Sequence, residues 1–389
     1  MKDFLEVIDE AQREGVLLRE AAKNVSGFNK KLVAFVKLLT NESGMSSHRR
    51  EYLMKEAAST SDFPLLFGTV LERTLLGKYS IATPDWRNYV KTGTQNDFRP
   101  ADAYGVYGLQ GGLSEVKQRG EYRSDAKLGE GRIQISLKKY GRSFGIGWET
   151  LINDDLGAFS DIADRLSTAA LRTEFREATK LIAQSTGPNT ALYAASPGIT
   201  HPIDKAKVIN KLALALTADN LGSAISTLKN QKDADGEPIA ITAVHLVVPP
   251  ALEYTMLQVL SAGALIVSGG DATSGVAPTV RTSVNVTAQM GIVGHMNPYL
   301  PIIDTSAGND KTWYLFAQLA DGYAAKLNFL RGHESPELVM KAPNKVTLAG
   351  GSTNPFDGNF EEDTVFWRVR HVLGGTQFDP RMTVASVAP

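Results

Sequence analysis

The chain alternates along 133–138. Ile133, Ile135 and Leu137 are apolar, and Gln134, Ser136 and Lys138 are polar. That two-residue period predicts a strand with one face in a core. Tyr140, Phe144, Ile146 and Trp148 continue the alternation in the opposite phase, so a bulge or tight turn near Lys139 must switch the face. From about 158 to 184 the period lengthens to that of a helix. Phe159, Ile162, Leu166, Ala169, Ala170, Ala178, Leu181 and Ile182 form one apolar stripe. Asp161 and Asp164 are expected in its first turns, where the helix dipole favours acids. At roughly 1.5 Å per residue this helix is about 40 Å long, a spine on which other elements pack.

Residues 1 to about 57 also read as helical. Phe4, Leu5, Ile8 and Ala11 keep helical spacing, as do Leu32, Phe35, Val36 and Leu39, with breaks at "NVSGFN" and "NESGMSS". "STSDFPLLFGTVLERTLLGKY" opens a further helix behind Asp62 and Pro64. "TADNLGSAISTLKNQ" predicts a helix with a Thr or Asp cap, and "KDADGEP" a turn whose Asp235-Gly236 pair suits type I′ geometry. "AITAVHLVVPP" is a nearly continuous apolar run, hence a strand buried on both faces. "PALEYTMLQVL" is helical, "SGGDATSGVAP" is a loop, and strands follow around Val284, Ile292 and Trp313–Phe316. Near the C-terminus Val365, Trp367, Val369, His371 and Leu373 share one strand face, with Phe366, Arg368 and Arg370 on the other. Residues 105–132 are different. They are polar, mixed in charge and punctuated by glycine. A structureless loop of that length inside a compact domain is unusual, so this stretch is read as an extended hairpin arm with little core of its own.

At 389 residues the chain is long enough for two or three cores, because a single core rarely grows past about 250–300 residues. It has no cysteine, which excludes disulfides, thiolate zinc sites and a thiol nucleophile. The formal net charge of -1 argues against a dedicated sequence-specific DNA binder, which carries a basic excess. No apolar run approaches the ~18 residues of a membrane span, and the start "MKDFLEVIDEAQREG" lacks the basic and apolar blocks of a secretory signal. The expectation is a soluble protein made inside the cell.

No catalytic constellation stands out. "GRSFGIGWETLINDDLGAF" offers Gly145 and Gly147 as GxG, but Thr150 takes the place of a third glycine and the helix opens too far on to hold a phosphate. Asp154 and Asp155 are placed to organise a turn. Gly77-Lys78 lacks both the glycine five residues before it and the following Ser or Thr of a phosphate loop. Gly236 is out of register for a calcium loop. His48, His201, His245, His295, His333 and His371 are scattered without zinc-helix spacing. His245 reads as a satisfied core histidine, and His333, beside Glu334 and Glu337, as part of a surface loop. No cofactor and no metal is expected, and the chain is not read as an enzyme.

The order of motifs carries more than any one of them. "STSDFPLLFGTVLERTLLGKY", Trp86, "DFRPA", "GEY" and "KYGRSFGIGWETLINDDLGAF" precede the long helix. "LVVPPALE", "WYLFA", "LRGHESPEL" and "FDGNFEEDTVFWRVRHVLGGTQFDPR" follow it. This order resembles the major capsid (head) proteins of tailed bacteriophages with the Hong Kong 97-type fold, close to the Mu-like branch sometimes fused to a prohead protease. The resemblance covers roughly residues 57–385.

The resemblance implies an α+β chain in five parts. Residues 1–104 are a helical N-terminal segment and arm, and 105–139 an extended intersubunit hairpin loop. Residues 140–213 form a peripheral domain whose spine helix spans about 158–184, 214–330 an axial α/β domain, and 331–389 the return to the peripheral domain with a C-terminal strand. It implies self-assembly into pentamers and hexamers that form an icosahedral head around double-stranded DNA, in a virion assembled in the host bacterial cytoplasm. The partners are then other copies, a portal, separate scaffold or decoration proteins and non-specifically bound DNA, with no membrane. Lys117, Arg119, Glu121, Arg123, Asp125, Lys127 and Glu130 on the loop are placed to pair across subunits, and Lys30, Lys31, Arg49 and Arg50 to face DNA. Because the sequence opens with Met1, assembly is expected without proteolysis of the subunit or with a separate scaffold. Two alternatives remain at this point: an encapsulin-type compartment shell, and a soluble α/β enzyme.

Overall fold

The computed structural model describes residues 75–77, 79–80, 84–107, 115–116, 118, 129–147, 156–233, 235–261, 264–269, 279–285, 287–341, 344 and 359–388. The helices expected in 1–57 lie outside these residues. After a short 3-10 turn at Asp85–Asn88 come β1 (Lys91–Gln95), β2 (Ala101–Tyr107), β3 (Gly129–Ile135) and β4 (Lys138–Gly147). The long helix α1 is Leu156–Ile182. The strand β5 (Lys211–Leu212), the helix α2 (Ala218–Lys229), β6 (Ala243–Val248) and α3 (Glu253–Ser261) follow. Then come the ribbon β7 (Ala264–Gly269) with β8 (Thr279–Val284), and β9 (Val293–Met296). The chain ends with β10 (Thr312–Ala317), β11 (Ala325–Leu330), β12 (Glu337–Met340), β13 (Thr364–Gln377) and β14 (Thr383–Val387).

The chain divides into two compact units. One holds 1–83, 139–173 and 332–372, and the other 84–138, 174–331 and 373–389. In the first unit β12 pairs antiparallel with β13, from Glu337↔Arg370 to Met340↔Trp367, and β4 also pairs with β13. Leu75, Leu166 and Val369 are buried together, with Leu76, Phe144 and Leu338 packed around them. The strand alternation expected at the C-terminus is present: Val365, Trp367, Val369 and His371 are buried, while Phe366, Arg368 and Arg370 are not.

The second unit is built on a sheet in the order β9-β6-β10-β14-β5. β6 lies between parallel β9 and antiparallel β10. Leu246, Val247 and Val248 are wholly buried, as a continuous apolar run inside a sheet requires. All six residues of β10 are buried, and Trp313 donates its indole N–H to the Leu214 carbonyl at 3.0 Å. α2 covers this sheet with Leu221, Ala224, Ile225 and Leu228. Its cap is Thr217, which accepts from the Asn220 amide at 3.2 Å. A second ladder joins β1 parallel to β11, and β11 antiparallel to 373–377 of β13.

The face switch expected near Lys139 is present: Ile133, Ile135 and Leu137 are buried in one phase, Lys138 and Lys139 are both exposed, and Tyr140, Phe144 and Ile146 follow half-buried in the other phase. Strand pairing pauses at Ser136 and Leu137, where a Cβ on Gly374 would lie 2.1 Å from the Ser136 carbonyl oxygen. Two sequence expectations need correction. Asp161 and Asp164 fall past the first turn, because α1 opens at Leu156. The turn at 233–237 is not type I′. Of the Asp235-Gly236 pair, only Gly236 has positive φ (+87°). The Asp233 carboxylate accepts from the amides of Asp235 and Glu237, at 3.0 and 2.9 Å, and so supplies the order that two left-handed residues would otherwise give.

The α1 stripe holds where its side chains are described: Leu166, Ala170, Ala178, Leu181 and Ile182 are buried. Glu174 lies on the same stripe, wholly buried, and is satisfied by Arg87 at 3.2 Å.

Candidate assembly surface

β2 and β3 pair in register from Ala101↔Ile135 to Tyr107↔Gly129, which makes them the stem of a hairpin. The stem starts at Ala101, earlier than the polar stretch, because Ala101 and Ala103 pair with buried Ile135 and Ile133. One face of this ribbon is seated on the second unit. Gly105 and Gly131 stand opposite each other on that face. A Cβ on Gly105 would lie 2.8 Å from Ile203 side-chain carbons, and one on Gly131 2.3 Å from the Ile203 Cα. Glycine is needed at both positions because the ribbon lies directly on that residue.

The other face is exposed and polar. It carries Asp102, Tyr104, Arg132 and Glu130. Tyr104 is 72% exposed and donates its hydroxyl to Asp102 at 3.3 Å, and Arg132 stands 3.9 Å from Asp102. Of the loop charges picked from sequence, Glu130 is described: it is exposed, opposite Val106. Lys117, Arg119, Glu121, Arg123, Asp125 and Lys127 lie outside the described residues, as do Lys30, Lys31, Arg49 and Arg50.

Sequence reasoning missed what holds Ile203 in place. Arg381 reaches Asp204 at 2.6 Å and Asp379 at 2.8 Å. His201 lies between the same carboxylates, Nδ1 2.7 Å from Asp204 and Nε2 3.3 Å from Asp379. His201 and Asp204 are buried and flank Ile203 on its loop. Burial acts to raise the Asp379 carboxyl, but hydrogen bonds from His201 and Arg381 outweigh it and hold its pKa at about 2. The four groups line a cavity of about 510 Å³, yet both carboxylates are spent on Arg381 and His201. The cluster is a brace that ties the seat of the hairpin to the C-terminal segment. The one sequence signal for it was the "FDPR" at the end of the last motif.

Two other histidine groupings exist. His245 is half-buried, with Nδ1 3.0 Å from His295 Nε2, and His295 stands 3.6 Å from Asp85. Burial first, and His295 second, lower the His245 pKa to about 4. The expectation of a satisfied core histidine therefore becomes a neutral imidazole pair. His333 is exposed as expected, against Glu337, which also pairs with Arg370. Among the described residues no three His, Asp or Glu side chains stand as a metal-holding group, and no helix is long and apolar enough to cross a membrane.

The described residues thus hold a seated hairpin stem with one exposed face, a buried ion cluster paired within itself, and sheets built from strands distant in sequence. The sequence matches the phage capsid protein family over residues 130–386, well over half its length. The chain belongs to that family. It is a capsid shell protein and a component of the virion, and the encapsulin alternative is not favoured. No curated protein matches it. The α+β class expected from sequence holds.

Solved structures with similar chains include the capsid of the cyanophage P-SCSP1u, at 13% identity over 79% of this chain and 88% of that one (TM-score 0.47). The capsid of an empty GTA particle is similar at 11% identity over 79% and 91% (TM-score 0.48). The mature capsid of bacteriophage PhiM1 is similar at 12% identity over 79% and 87% (TM-score 0.46). The match is to the family as a whole; the nearer placement beside Mu-like heads is not part of it.

Proposed function

We propose that this capsid protein is the major head subunit, assembling as pentamers and hexamers into an icosahedral shell around double-stranded DNA. The observation that carries the reading is the braced hairpin stem in a chain whose family match spans 130–386. A two-stranded ribbon is marginal alone in water, and half of this one is seated while its polar face is left for a neighbour. Ring contacts of this kind are heterologous and close by rotation. The net charge of -1 suits close packing of many copies, because a large like charge would repel them.

In this reading 1–104 supply an arm, 105–139 reach a neighbouring subunit, and 140–213 with 331–389 form the peripheral body. Residues 214–330 stand around the ring axis. Lys117, Arg119, Glu121, Arg123, Asp125, Lys127 and Glu130 pair between subunits. Exposed pairs contribute only about 0–1 kcal/mol each, so the gain lies in number and register. Lys30, Lys31, Arg49 and Arg50 face DNA, whose binding weakens as salt rises. Portal, scaffold or decoration proteins complete the set of partners. The work is association rather than catalysis, since the buried carboxylates and imidazoles serve one another.

Negative-stain electron microscopy of the expressed chain tests this. Closed shells or five- and six-membered rings are the expected result. A stable monomer or dimer in every condition would overturn it.

A further inference from the structure

The solvent face of α1 carries one sign of charge. The helix buries Leu166, Ala170, Ala178 and Ile182 on one side. On the other, Arg165, Thr168, Arg172, Arg176 and Lys180 are exposed. α1 is one continuous helix, so the spacing of this row is set by the helix itself. At 3.6 residues per turn the three arginines lie within about 40° of one another around the axis. They rise over about 16 Å, in steps of about 10 and 6 Å.

Few acids stand near the row. Glu177 pairs with Lys180 at 2.5 Å. Glu174 is wholly buried on the far side and pairs with Arg87 at 3.2 Å. Asp161 and Asp164 precede Arg165 at the N-terminal end. Arg165, Arg172 and Arg176 have no ion-pair partner among the described residues. Three guanidinium groups, charged at any ordinary pH, therefore stand in water in a chain whose formal net charge is -1.

What covers such a row follows from what it lacks. The centre of a protein–protein contact is rich in aromatic and apolar side chains and poor in charge. None of the exposed members of this row is apolar, and half-buried Ala169 offers it one methyl group. A phosphate backbone is the matching surface. It carries charge of one sign at short, regular intervals, and arginine forks bind phosphate oxygens two at a time. The exposed Thr168 hydroxyl is a further donor of the kind that phosphates accept from.

We propose that the exposed row of α1, anchored by Arg165, Arg172 and Arg176, holds the phosphate backbone of packaged double-stranded DNA. The inference rests on the shell-subunit reading and deepens it: α1 then lines the inside of the shell. Phosphate contacts carry no sequence information, which suits a shell that must hold a whole genome.

Full-length chains are titrated with double-stranded DNA of random sequence at several salt concentrations. Wild-type log K should fall steeply as log salt rises. Arg165→Gln, Arg172→Gln and Arg176→Gln, made together, keep helix propensity and remove three cations. They should weaken binding at least about tenfold and reduce the salt slope by about 3, roughly one for each arginine, with subunit melting unchanged. Lys229→Gln, Lys232→Gln and Lys311→Gln remove the same charge from exposed sites elsewhere and should change neither. No binding by the wild type, no loss in the arginine variant, or an equal loss in the lysine variant would overturn the proposal. In a second arm, shells assembled with and without DNA are treated with an arginine-selective dicarbonyl reagent and read by peptide mass spectrometry. The three arginines should be protected in DNA-filled shells and modified in empty ones. Protection in both would assign the row to a neighbouring protein surface, and modification in both would leave it bare. Either result would overturn the proposal while the shell reading stood. Chains that bind DNA through the row but never form shells would overturn the shell reading alone.

Discussion

The hairpin stem β2–β3 and the central pair β6–β10 are both antiparallel ladders, yet they do opposite work. β6–β10 lies inside a sheet, with strands on either side and α2 over it. The Trp313, Tyr314, Leu315 and Phe316 side chains are almost wholly removed from water. The stem has two strands, one face on Ile203 and the other in solvent. The central pair is complete within one chain. The stem rests on a seat below it, and in the proposed shell its exposed face meets a neighbouring copy. A shell subunit needs both: a body that folds alone and edges that do not satisfy themselves.

The largest expected effect falls on the complete region. Trp313→Ala removes a wholly buried indole and its bond to Leu214. It should cost about 3–5 kcal/mol and lower the melting temperature of free subunits on the order of 10 °C, whether or not shells form. Calorimetry of free subunits measures this, and an unchanged transition would contradict the account. Arg381→Met leaves two carboxylates, Asp204 and Asp379, with His201 alone as their partner, and should cost about 3 kcal/mol. Because the brace carries Ile203, this variant should also reduce assembly of whatever remains folded. Equal stability in thermal melts would mean that the brace is idle.

Gly131→Ala sharpens the comparison. The added Cβ meets the Ile203 backbone, so the stem must lift, at a cost of about 1–3 kcal/mol. Ile203 lies in a turn outside the β6–β10 sheet, so the body should stay folded. Shell yield should fall much more than subunit melting temperature, as sedimentation set beside calorimetry would show. An equal loss in both would erase the distinction between the two regions.

Acid separates them in another way. The folded-state pKa of His245 is lowered to about 4 from an ordinary 6.5. The unfolded chain therefore binds this proton more readily. Stability is fully present above about 6.5 and declines as pH falls through 4. Asp379, held at about 2 against 3.8, adds a loss below about 3.8. Subunit melting followed from pH 7 to 4 should fall, and His245→Gln should flatten that slope. A wild-type profile flat over this range would remove the imidazole pair from the account. The smallest effect belongs to the exposed face: Arg132→Gln loosens an exposed contact with Asp102 and should change stability by no more than about 0.5 kcal/mol.

What the sequence made legible follows from local periodicity. The alternation at Ile133–Leu137, the stripe through α1 and the phase of β13 are short-range patterns, and each survives in the fold. The Thr217 cap was readable for the same reason. The assembly surface was half legible. A polar stretch with glycines pointed to an arm, but not to where its stem begins or what it rests on. Ile203 and Arg381 come from loops 178 residues apart in sequence number, and no period connects them. Glu174 read as a polar interruption of a helical stripe, because its partner Arg87 is 87 positions away. His245 and His295 looked like isolated residues until parallel pairing of β6 with β9 brought them to 3.0 Å. Long-range ion pairs and strand neighbours are set by topology, which one sequence does not display.

The central claim is that the body is complete in one chain while the stem is completed by assembly. Amide hydrogen exchange on free subunits and on closed shells tests it most directly. Amides of Ala243–Val248 and Thr312–Ala317 should be equally slow in both states. Amides of Ala101–Tyr107 and Gly129–Ile135 should slow sharply on assembly. Stem amides that exchange at the same rate in subunits and shells would contradict the account.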